Sequence, residues 1–369
     1  MGFNNSDLTS GPDPAFPQPM PARWPCVDAW YEQRQFILNA VQALVMGKSP
    51  CAPVATEAMA EISPSWASGK WSLPPQSTHT GAWKSIPFVP GQKIKTTNAG
   101  MTLAFNVAGG ITHLDAPVAG SAANQASLAS VDHPLAEFHY QTLSGRQMQS
   151  WVTAYGTLSR PNFANFAAPG EVMSGSSIGA TGYNATGVVS AIATRENDDG
   201  SSEILLNITM PEKAWKEGGA PRRVSVLFTV TRLNQASTPM YALNISLRTL
   251  EKTPTKHKET MWMSFVPSPE QTDRLEIDKL GSWIDPSDVL PFGGSNMHLH
   301  AVNSGARWQR NGHTILQVLS KDVALVSVGE RNPAPTPRVD GGTHYDGGRL
   351  VPDVVGGVHF SLVNNVWNT

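Results

Sequence analysis

Ile204-Leu205-Leu206-Asn207-Ile208-Thr209-Met210 and Val224-Ser225-Val226-Leu227-Phe228-Thr229-Val230-Thr231 decide the fold class. In both stretches every even-numbered position is apolar, and most of the positions between are polar. A period of two places Ile204, Leu206, Ile208 and Met210 on one side of an extended strand, and Val224, Val226, Phe228 and Val230 on one side of another. Tyr241, Leu243, Ile245 and Leu247 repeat the pattern. Met101, Leu103, Phe105 and Val107 alternate with Thr102, Ala104 and Asn106; Gly109-Gly110 and Ile111 to Leu114 follow, which predicts a hairpin. Ile315 to Leu319 and Val323 to Val328, around Ser320-Lys321-Asp322, predict a second hairpin. Roughly 14 to 18 short strands fit between Gly, Pro and Asn turns. That number exceeds an immunoglobulin-sized sandwich. The expected fold is mostly β, a large antiparallel β-sandwich of two sheets packed face to face. No fixed repeat is evident, which disfavours a propeller.

Upstream the pattern changes. Residues 1–25 hold Pro12, Pro14, Pro17, Pro19, Pro21 and Pro25 and read as a disordered, extended opening. Residues 26–64 read as a helical segment. Val27, Trp30, Tyr31, Ile37, Leu38, Val41, Leu44 and Val45 recur at three- and four-residue spacing, with Asp28 in the first turn and Gly47 as the C-terminal cap. A second helix is expected from about Pro53 to Ile62, stopped by Pro64. Residues 69–369 form the expected β-sandwich domain.

Composition narrows the function classes. Among 369 residues, Lys+Arg 27 against Asp+Glu 29 leaves a net charge of -2, so there is no basic excess to neutralise phosphates and no nucleic-acid partner is expected. Charged residues make up 15%, against about 25% in an average soluble domain, which excludes coiled coils and long bundles. No apolar run approaches the roughly 18 residues of a membrane span. No signal peptide is visible, although Asn4, Asn184, Asn207 and Asn244 head glycosylation sequons compatible with a secreted parent. Met1 to Ser6 fits the loose myristoylation pattern. Cys26 and Cys51 allow either one disulfide or two thiols, and they lack zinc spacing.

Two clusters carry candidate chemistry. His298 and His300 in Met297-His298-Leu299-His300 share one face of a strand, about 6.5–7 Å apart. They could chelate a metal if His313, His344, His359, Asp340 or Asp346 supplied a third ligand, or they could simply hydrogen-bond in a polar groove. Trp283 and Asp285 lie in Leu280-Gly281-Ser282-Trp283-Ile284-Asp285-Pro286, where Asp285-Pro286 starts a turn. With Trp262, Trp308 and Trp367 this gives a run of Trp that either fills the core or stacks on sugar rings. Asp285 with Asp288, or Asp340 with Asp346, could form a hydrolytic carboxylate pair, but no spacing singles them out. There is no Gly-x-Ser-x-Gly elbow and no phosphate loop. No residue is assigned as catalytic or as a metal ligand.

Five stretches together resemble a known family. They are His133 to Thr142, Glu259 to Phe265, Lys279 to Pro286, His298 to Val302 and His359 to Thr369. In this order they are similar to the C-terminal part of large, mostly uncharacterised proteins whose front half resembles the glycoside hydrolase family 38 α-mannosidases. The resemblance implies a galactose-mutarotase-like supersandwich preceded by the tail of a helical middle domain. It implies no cofactor in this chain, since the zinc and nucleophilic aspartate of such proteins belong to a barrel-like catalytic half that this sequence lacks. The expected function is non-catalytic carbohydrate recognition and scaffolding within a fragment of a longer protein, with a catalytic barrel in cis or in trans as partner. Expected ligand contacts are Trp283, Asp285, His298, His300, Arg307, Asn364, Asn365 and Trp367. The alternatives are a stand-alone polysaccharide-active enzyme using His298 or His300, and a structural interaction module that never touches sugar.

Overall fold

The computed structural model describes residues 39–47, 50–62, 81–115, 127–144, 182–233, 240–252, 258–268, 273–288, 298–333 and 354–365. Residues 1–38, with Cys26 and the Pro-rich opening, lie outside the described residues, as do Asp340, His344, Asp346 and Trp367. The described residues fall into two compact units.

Among its described residues the first unit holds two helices, residues 39–46 (α1) and Ala52–Ile62 (α2). Gly47 ends α1: its N–H donates to Ala43 O at 2.8 Å, and a Cβ there would sit 2.9 Å from that same oxygen. Pro53 occupies the first turn of α2, where its missing N–H costs nothing. Leu44, Met46 and Val54 are exposed, so within this unit the apolar stripes are only partly covered. Among the described residues no helix is long and apolar enough to cross a membrane.

The second unit is mostly β, with strands numbered β1 to β18 along the chain and every registered pair antiparallel. A five-stranded sheet runs in the order Lys84–Ile86 (β1), Val188–Glu196 (β7), Ser202–Thr209 (β8), Arg223–Leu233 (β9), Met240–Leu250 (β10). A nine-stranded sheet runs Leu299–Ala301 (β14), Leu325–Val328 (β17), Val358–Asn365 (β18), Glu259–Phe265 (β11), Leu135–Thr142 (β5), Ile111–Asp115 (β4), Thr102–Phe105 (β3), Ile94–Lys95 (β2). Tyr183–Ala185 (β6) also pairs with β5. A four-stranded sheet runs Ser282–Ile284 (β13), Asp273–Lys279 (β12), Gly305–Arg310 (β15), His313–Leu319 (β16). The short helix Glu212–Glu217 (α3) connects β8 to β9.

The period-two reading holds. Ile204, Leu206, Ile208 and Met210 are buried, and so are Val224, Val226, Phe228 and Val230. They share one core with Leu103, Phe105, Phe138 and Met263 from the nine-stranded sheet. The Phe105 and Phe228 rings meet with centroids 5.3 Å apart, tilted by 42°. Sheets of opposed apolar faces thus stack with interdigitated side chains, as a sandwich requires. Gly109, at φ +89°, closes the β3–β4 hairpin where a Cβ would meet Ile208 Cδ1 at 2.8 Å, so the turn itself lies against β8.

The strands divide among three sheets, not two, and this overturns the second predicted hairpin. β16 pairs with β15 in the four-stranded sheet, whereas β17 pairs with β14 and β18 in the nine-stranded one. Ser320-Lys321-Asp322 is therefore a crossover between sheets. The true hairpin partner of β16 is set by Asn311 and Gly312, at φ 52° and 78°, the two left-handed residues of a turn that suits strand twist.

Leu280 and Gly281 make the corresponding turn between β12 and β13, at φ 53° and 85°. Leu280 is 98% exposed, so it contributes no burial and still occupies a left-handed conformation that costs a side-chain-bearing residue about 1–2 kcal/mol. Asn tolerates that region far better. Leu280→Asn is expected to raise stability by about 1 kcal/mol, read as a higher urea midpoint at unchanged slope.

Candidate functional site

The residues of the Leu280 to Pro286 stretch assemble on the outer face of the four-stranded sheet. Leu275 and Ile277 point inward to the core, so Arg274, Glu276 and Asp278 point outward on β12. Register carries that face to Trp283, opposite Asp278, and to Arg307, opposite Glu276. The Arg307 guanidinium carbon sits 4.5 Å from the Trp283 ring centroid, a cation–π contact. Arg307 also donates through Nε to Glu276 Oε2 at 2.7 Å, and Gln309 Nε2 donates to the same oxygen at 2.9 Å. Glu276 is buried, and its bond to Arg307 holds the guanidinium and, through it, the indole.

Asp285 begins the turn that ends β13, as its place before Pro286 predicts. Its Oδ1 accepts from Ser287 N at 2.9 Å and Ser287 Oγ at 2.5 Å. Arg274 Nε lies 3.9 Å from Asp285 Oδ2 and 3.6 Å from Glu276 Oε1. The result is a half-buried indole with one guanidinium over its ring, on the strand that leads into the Asp285 turn.

The other expected contacts lie elsewhere. His298 and His300 are buried beside β17, and His300 registers with the core residue Val326. His359 registers with Ser327, on the opposite face of the same sheet, and His313 is an exposed residue of β16. Neither can join His298 and His300 around one ion. Among the described residues no group of three or more His, Cys, Asp or Glu side chains could hold a metal. Asn364 and Asn365 pair through their backbones with Thr260 and Glu259. Trp262 and Trp308 are buried, the space-filling role weighed for them against sugar stacking.

A second polar cluster escapes the sequence reading. On β5, β11, β17 and β18 the side chains facing away from the sandwich core are polar and yet buried. Register aligns Ser327, His359, Ser264 and Glu137 in one row, and Ser361, Trp262 and His139 in the next. A bulge on β5 makes this possible. Ala136 adopts φ 55°, which lets Leu135 and Phe138 both point into the core while Glu137 and His139 point out.

Asn106 Nδ2 donates to Glu137 Oε2 at 2.6 Å, and His139 Nε2 lies 2.9 Å from Glu137 Oε1. Gly110 permits the approach, since a Cβ there would meet Glu137 Oε2 at 2.7 Å. Burial pushes the Glu137 carboxyl up, but the bonds from His139 and Asn106 outweigh it and hold the group below its ordinary value. Burial holds the His139 imidazole below its ordinary value against the pull of Glu137. His359 Nδ1 lies 2.9 Å from Ser264 Oγ; burial, with Arg331 and His139 nearby, pushes it down to about 3. Trp262 Nε1 donates to Gln141 Oε1 at 3.2 Å. Strict alternation would have pointed to this face, except that exposed strand faces give the same polar pattern.

No protein-family model matches the chain, and no curated protein or solved structure matches it either.

Proposed function

We propose that the β region is a non-catalytic carbohydrate-recognition and scaffolding sandwich, working beside a glycoside hydrolase half of the α-mannosidase-like kind that the sequence resembles. The observation that carries this reading is the part-exposed Trp283 indole, held in place by the Arg307 guanidinium over its ring. An indole face matches the apolar C–H face of a sugar ring, and neighbouring carboxylate and guanidinium groups accept from and donate to its hydroxyls. Trp283 keeps part of its surface in solvent, unlike Trp262 and Trp308. Asp285 and Arg307 act as the polar contacts, and Glu276 positions Arg307.

A glycan array probed with the whole chain tests the class of ligand. Saturable binding to mannose- or glucose-type oligosaccharides, reduced at least tenfold by Trp283→Ala, is expected. Binding to no glycan of any type would leave the structural interaction module as the correct reading.

A further inference from the structure

We infer that β10 is the interface of a two-fold symmetric dimer of this chain, its outer edge pairing antiparallel with the same strand of a second copy. Among the described residues β10 pairs with β9 alone, so it ends the five-stranded sheet. An edge strand presents alternate backbone N–H and C=O groups to any chain that can pair with them. Proteins blunt such edges with short strands, bulges, Pro or charges. The other sheet ends are blunted in this way. β1, β13 and β14 are three residues long and β2 is two. β16 is longer, but a register shift at Trp308/Gln309 interrupts its pairing with β15. β10 runs eleven residues in unbroken register with β9 and contains no Pro, Lys, Asp or Glu.

The core also opens at this edge. Val226, Phe228 and Val230 of β9 are at most 2% exposed. Their β10 partners Leu247, Ile245 and Leu243 are only half-buried. On the other face Met240 and Leu250, at the two ends of the strand, are 56% and 39% exposed. A further strand here would take both sets out of water.

The sequence of β10 selects a second copy as that strand. Antiparallel pairing about Ile245 sets apolar side chains against apolar ones and polar against polar. On the core side Leu243 meets Leu247 of the second copy, and Ile245 meets Ile245. On the outer side Asn244 meets Ser246, and the exposed Met240 meets the exposed Leu250. A two-fold axis makes each unlike contact twice. Arg248 is the single charge in the strand. This register places it opposite Ala242 and holds the two arginines about 20 Å apart. An axis at Asn244 would instead put Met240 against Arg248 and leave Leu250 without a counterpart. Facing apolar side chains stabilise a cross-strand pair, and directly opposed like charges destabilise it. This interface is separate from the Trp283 face and stands whether or not that face binds sugar.

Sedimentation velocity of the whole chain across a concentration series tests the dimer, with two double variants at exposed positions. Asn244→Lys/Ser246→Lys and Asn244→Glu/Ser246→Glu each set like charges directly opposite one another across the axis. The parent is expected to sediment as a dimer. Each variant alone should associate at least tenfold more weakly, with a urea midpoint close to the parent's. Mixing the Lys and Glu variants should restore the dimer as a heterodimer, which a misfolded edge could not do. Asn244→Cys/Ser246→Cys reads the register itself: on mild oxidation it should cross-link into a covalent dimer faster than the parent. A parent that is monomeric at every concentration would overturn the inference. So would undiminished dimers in both charge variants, failure of the mixed variants to associate, or no faster cross-linking.

Discussion

Phe228→Ala is expected to destabilise the protein by about 3–5 kcal/mol, a loss of burial plus a cavity that β-sheet backbones cannot close. Phe228 is fully buried in β9, and its ring meets Phe105 of β3 across the two sheets. The cost therefore reports sheet-on-sheet packing and not a property of one strand. Phe105→Ala should cost a similar amount. The double variant should lose less than the sum of the two, by about 0.5–1.5 kcal/mol, the coupling of an aromatic pair beyond its area. Urea unfolding of the four proteins measures this cycle. Strict additivity would mean that the rings do not depend on each other and that the two faces are not in contact there.

Acidification is expected to weaken the fold, and His359 supplies the largest single share. Its folded value of about 3 lies below the ordinary 6.5 that it regains on unfolding. Between those values the unfolded chain binds the proton and the folded chain does not. Stability is thus intact above about pH 6.5 and is lost progressively as pH falls toward 3. From about pH 7 to about pH 4.5 the loss from this group alone is about 2–3 kcal/mol. Glu137 and His139, both held below their ordinary values, act in the same direction over their own ranges. Glu259, raised by burial, acts oppositely, because its folded form takes up a proton first. Comparing the parent with His359→Gln isolates the histidine. The variant still offers Ser264 a hydrogen bond but cannot titrate, so its stability should fall by about 2–3 kcal/mol less over the same pH interval. An identical pH dependence in both proteins would refute the buried neutral assignment.

Strand identity was legible in the sequence because it depends on local alternation, and Ile204 to Met210 and Val224 to Val230 carry it without ambiguity. Strand partnership was less legible. Ser320-Lys321-Asp322 looks like a hairpin turn, but nothing local says that the chain changes sheets there. The Asn311-Gly312 pair was the available signal for the correct hairpin. At the candidate site, Asp285 and Trp283 fell where turn chemistry and strand length place them, and Arg307 came beside Trp283 only through the pairing of β12 with β15. His298 and His300 read as a same-face pair that either chelates a metal or hydrogen-bonds in a polar groove, and register turns His300 toward the core. Glu137, His139, Ser264 and Ser361 were missed for a different reason. A polar residue every second position reads as a solvated face, and only the assembled sheet shows that these positions are buried. The bulge at Ala136 compounds this, since it breaks the alternation at the first residue of the cluster.

The most direct test of the carbohydrate reading is isothermal titration calorimetry of the whole chain against the tightest-binding neutral oligosaccharide from the array, with the parent and Trp283→Ala run side by side. The expected result is one saturable site in the parent, at least tenfold weaker in Trp283→Ala. Equal affinity in the parent and Trp283→Ala would contradict the assignment of sugar recognition to the Trp283 face.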